Sequence, residues 1–76
     1  MMDAIRDIDN HLICYADSAR GLIEHTYQKE MIRIILPVGG EVLFIKGDCF
    51  TMIRRINQQS VYVSSEHYQG LGMLNT

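Results

Sequence analysis

The sequence predicts an α+β fold, an N-terminal amphipathic helix followed by a four- or five-stranded antiparallel meander that can curl into a small barrel. Three observations predict it. Apolar residues recur at helical spacing near the start of the chain. Ten of the fourteen Ile and Val residues fall between positions 32 and 63, where β-structure is favoured. Short segments rich in Gly, Asp and Asn divide that second region into strand-length pieces.

The helix is assigned to residues 3–19. Ile5, Ile8, Leu12, Tyr15, Ala19 and Leu22 are spaced by alternating threes and fours, and Ile13 and Ala16 widen the stripe. Asp3 and Asp7 suit a helix N-terminus, Arg20 suits its C-terminus, and Gly21 suits the residue just beyond. Strands follow at 22–27, 31–36, 41–46, 49–56 and 60–65. Gln28-Lys29-Glu30 ends the first of them. Pro37-Val38-Gly39-Gly40 is read as a turn, Gly47-Asp48 as a tight hairpin, and Asn57-Gln58-Gln59 as the last turn. Residues 66–76, with Gly70 and Gly72 flanking Leu71, form a weakly docked tail. Connections of a few residues join antiparallel neighbours, because parallel crossovers need far more chain. Helix followed by five strands is similar, in element order alone, to small Sm-like or SH3-like barrels; no signature motif accompanies the order.

With 76 residues, 47% of them hydrophobic and 21% charged, the chain is expected to form one domain over 1–76. A domain this short buries only about 60% of its unfolded surface and gains from self-association. No apolar run approaches the roughly 20 residues needed to span a bilayer, and the opening Met-Met-Asp-Ala-Ile-Arg-Asp lacks the pattern of a secretory signal. A cytoplasmic protein is therefore expected. Cys14 and Cys49 are too few for a disulfide framework and read as small core residues.

The net charge of −2 argues against a broad positive field for nucleic acid. The charge is uneven, with six acids and three bases over residues 1–30 but four bases (Arg33, Lys46, Arg54, Arg55) and two acids over 31–56. Those four bases, with Phe44, Phe50, Tyr62 and Tyr68 as stacking platforms, define an alternative reading as a nucleic-acid-binding small β-barrel. Strand alternation sends Arg54 and Arg55 to opposite faces, which weakens a shared groove.

A metal site is testable in the same way. His11 and Cys14 stand i, i+3 on the predicted helix, and His25, Cys49 or His67 would have to complete the set. No close ligand pair such as Cys-x2-Cys supports it, so neither metal nor other cofactor is expected. Cys49 or Ser18 with His25 can be written as a nucleophilic set, but no G-x-S-x-G, H-E-x-x-H or P-loop is present, so no catalytic residue is assigned. Pro37-Val38-Gly39-Gly40 leads into a strand, whereas a phosphate-cradling loop leads into a helix.

What remains is binding. Strands such as Ile34-Ile35-Leu36 and Val42-Leu43-Phe44-Ile45 are apolar on both faces, more than one core uses. The sequence thus reads as a small non-enzymatic binding or regulatory module acting through protein–protein contacts as a homo-oligomer, with the size of a phage- or mobile-element-type inhibitor. Interface candidates are Tyr15, Phe44, Phe50, Arg54, Arg55 and Tyr62.

Overall fold

A computed structural model describes residues 2–67. The predicted helix does not form, and the described residues contain no helix at all, so none is long and apolar enough to cross a membrane. The fold is all-β rather than α+β. Among the described residues, seven strands, β1 (Asp3–Arg6), β2 (Leu12–Asp17), β3 (Leu22–Tyr27), β4 (Glu30–Ile35), β5 (Glu41–Lys46), β6 (Cys49–Asn57) and β7 (Ser60–His67), build two antiparallel sheets ordered β1-β2-β3-β4 and β5-β6-β7.

The stretch read as a helix is a hairpin, and its turn chemistry explains why. Asp7 Oδ1 accepts hydrogen bonds from the backbone N–H groups of Asp9 (2.9 Å) and His11 (2.8 Å), and Asn10 takes a positive φ of 68°. Asp-Ile-Asp-Asn is thus a loop in which side chains replace the backbone partners a helix would supply. The apolar stripe does not form a buried face. Ile8, Leu12 and Tyr15 are exposed, while the buried set in this region is Ile13, Cys14 and Ala16 together with Asp7 and Asp17. Residues 17–21 make the next turn, where Arg20 N–H donates to Asp17 O (3.2 Å) and Gly21 adopts φ 65°.

Strands β3 to β7 lie close to their predicted positions, but they do not form one meander. Pro37-Val38-Gly39-Gly40 carries the chain from the first sheet to the second instead of pairing β4 with β5. In that crossing Gly39 N–H donates to Arg55 O (2.7 Å) and Arg55 N–H donates to Gly40 O (2.9 Å), so the loop borrows the end of β6 as its partner. Glu66 and His67, assigned to a tail, belong to β7; the remainder of that tail, from 68 on, lies outside the described residues.

The two sheets meet through a core of Ile13, Cys14, Ala16, Ile23, Leu36 and Ile53, with Ile5, Ile34, Val42, Phe44, Val61 and Val63 packed around it. On β6 the alternation is regular. Cys49, Thr51 and Ile53 point inward, and Ile53 pairs in register with Val42 of β5 and Val63 of β7. On β2 a register shift makes Ile13 an extra residue opposite β1. Its carbonyl oxygen takes a hydrogen bond from His25 Nδ1 (2.8 Å), which must be the protonated nitrogen because a carbonyl only accepts. The His25 ring then lies 4.9 Å from that of Phe44 across the two sheets.

Candidate functional site, an apolar sheet face

Because the sheet β5-β6-β7 turns Val42, Phe44, Thr51, Ile53, Val61 and Val63 toward the core, the alternate residues face outward. The register sets them in three rows across the strands: Glu41–Arg54–Tyr62, Leu43–Met52–Ser64 and Ile45–Phe50–Glu66. Leu43 is 53% exposed, Ile45 62% and Tyr62 53%. Phe50 and Met52, in the central strand, are half-buried. The face therefore has an apolar centre, bordered by the Arg54–Glu41 ion pair (2.8 Å) at one end and by Glu66 at the other. No other described element covers it.

The sequence candidates divide accordingly. Phe50, Arg54 and Tyr62 share this face. Tyr15 is exposed, but on the four-stranded sheet, opposite Ala4 and Glu24. Phe44 points inward against His25. Arg55, as alternation requires, points away from Arg54. Its Nη1 donates to Leu36 O (2.9 Å), and its Nη2 donates to Ala19 O (3.0 Å) and Gln58 O (3.1 Å). Leu43, Ile45 and Met52 were missed as individual residues, although the two-faced apolarity of 42–45 was their signal.

The bases proposed for nucleic acid do not converge. Arg33 pairs with Glu24 (2.9 Å) on the four-stranded sheet, Arg54 with Glu41 on the three-stranded one, and Arg55 is occupied by backbone carbonyls. Lys46 lines a small pocket of about 220 Å³ between the sheets, with Ile13, His25 and Phe44. Tyr68 lies outside the described residues.

The i, i+3 argument for His11 and Cys14 falls with the helix. His11 Nδ1 lies 3.3 Å from Asp7 Oδ2, while Cys14 is core, where burial pushes its thiol up to about 11. At the Arg55 end a wide groove of about 630 Å³ opens between Asp3, Asp17, Ser18, Val38 and Gln58. Compared with known proteins, the chain matches no protein family, no curated protein and no solved structure.

Proposed function

We propose that the chain is a non-enzymatic binding module that docks through the outer face of β5-β6-β7, and that its first partner is a second copy of itself. The observation that carries this reading is the row arrangement: five apolar side chains on three adjacent strands, with a charged pair at the rim rather than the centre. Stacking two such faces at about 10 Å is the ordinary way one sheet covers another, and it would give each small domain the buried area that a chain of this length lacks. Apolar anchors surrounded by polar rim residues are also the arrangement that concentrates binding energy at protein interfaces.

Sedimentation equilibrium of the full chain tests it. The wild type is expected to be a dimer. Met52→Glu, at the face centre, and Ile45→Lys, beside it on β5, each place a charge on the apolar face and are expected to raise the dissociation constant more than about tenfold with the circular dichroism spectrum unchanged. Tyr62→Ala and Arg54→Glu weaken it less. Ile35→Lys, at the 74% exposed edge of the other sheet, serves as the control and leaves the dimer intact. A monomeric wild type, or a dimer dissociated by Ile35→Lys and not by Ile45→Lys, overturns the reading.

A further inference from the structure

At the end of β6 remote from Arg55, three segments far apart in sequence meet. Asp9 comes from the loop between β1 and β2, Cys49 opens β6, and His67 closes β7, directly opposite Cys49 in the strand register. One donor atom from each lies within 4.8 Å of the other two, and Asp9 Oδ2 is 2.9 Å from His67 Nε2. The geometry points to a transition-metal site of the Zn2+ class, held by the Asp9 carboxylate, the Cys49 thiolate and the His67 imidazole, with a fourth position open to water.

The donor set supports that class of ion. One oxygen, one sulfur and one nitrogen suit a borderline cation such as Zn2+ or Co2+, whereas Ca2+ and Mg2+ select oxygen alone. Bonds of about 2.0–2.3 Å to such an ion bring donors to within roughly 3.5–4 Å of each other. The Asp9 and His67 side chains, 43% and 40% exposed, have room to make that adjustment over a thiol that is itself buried.

An independent feature of the surroundings favours the thiolate. The Ser65 hydroxyl oxygen accepts hydrogen bonds from Ile8 N–H (2.9 Å) and Thr51 Oγ1 (3.1 Å). Its own proton is thereby left for Cys49 Sγ, 3.5 Å away. A donor aimed at a ligand sulfur is the outer-shell contact that orients and stabilises a coordinating thiolate. Asp9 is held in place as well, since its backbone N–H is bound by Asp7 Oδ1. On binding, two protons leave for solvent, that of the Cys49 thiol and the one His67 Nε2 now donates to Asp9 Oδ2, so that the ring stays protonated on Nδ1 and Nε2 and the carboxylate are both free to hold the ion.

The test titrates metal-free full-length protein with Co2+, then with Zn2+. The expected result is one ion per chain, with a thiolate-to-cobalt charge-transfer band in the near ultraviolet that Zn2+ abolishes by displacement. Cys49→Ser is expected to remove the band. Asp9→Asn and His67→Gln, at half-exposed positions, are expected to weaken Co2+ binding about tenfold or more, and Cys14→Ala to leave it unchanged. If wild-type protein shows no such band at saturating Co2+, or the band survives in Cys49→Ser, the site does not exist.

Discussion

Arg55 carries more of the architecture than any other charged residue described. Its guanidinium ties three carbonyls, from the β2–β3 turn, the chain crossing between sheets and the β6–β7 turn, to the end of one strand. Planar, fixed donors make this possible, and a point-charge ammonium reproduces it only in part. Arg55→Ala is therefore expected to lower stability by about 2–3 kcal/mol, the usual cost of removing a charged donor from partly buried acceptors, with Arg55→Lys falling between it and wild type in urea unfolding. Gly21 belongs to the same contact. A Cβ there would lie 2.6 Å from Leu36 O and 2.7 Å from Arg55 Nη1, at a φ of 65° that disfavours side chains. Gly21→Ala is accordingly expected to destabilise by more than the roughly 1 kcal/mol of left-handed strain alone. An equal or higher urea midpoint for either variant would remove Arg55 from this role.

At the scale of elements, the β1–β2 hairpin depends on Asp7. Burial opposes ionisation of this carboxyl, but hydrogen bonds from the backbone N–H groups of His11 and Asp9, and from the His11 side chain, outweigh it and hold its pKa below the ordinary value. A lowered folded-state value adds stability above the unfolded carboxylate pKa of about 4, which is lost as pH falls through the folded value. Asp7→Asn should thus unfold more readily than wild type at neutral pH, and the gap between their urea midpoints should close as the pH drops below about 4. A gap that stays constant with pH means that the charge of Asp7 is not what holds the loop.

The same hairpin shows what local pattern can and cannot convey. Strands β3 to β7 were legible because alternation and turn residues agree there. In residues 3–19 a three-and-four spacing of apolar residues coincided with two strands, and the Asx residues of a loop looked like the polar side of a helix. What decides between them is long-range: β2 buries Ile13, Cys14 and Ala16 only because β3 and a second sheet are there to receive them. Phe50, Arg54 and Tyr62 could be found from alternation along a strand. The grouping of Asp9, Cys49 and His67 could not, since it exists only once two sheets close on each other.

For the whole molecule, closure rests on a shared core and on contacts at both ends of β6. Arg55 secures one end. At the other, about 20 Å away along the strand, Ile8 N–H bonds to Ser65 and Asp9 to His67, joining residues 57 and 58 positions apart. The hydrogen bond and charge of Asp9 raise the His67 pKa above its ordinary value, against a smaller effect of burial, and Asp48 and Asp7 add to the rise. A raised folded-state value stabilises the fold fully below the unfolded histidine pKa of about 6.5, and that contribution disappears as pH rises through the folded value. In metal-free protein, wild type is therefore expected to exceed His67→Gln in urea midpoint at pH 6, with the difference shrinking steadily above pH 6.5 or so. The dependence should also weaken at high salt, because both partners are partly exposed. A difference that grows with pH would mean that neutral His67, not its cation, closes this end, and the electrostatic account of the seam would fail.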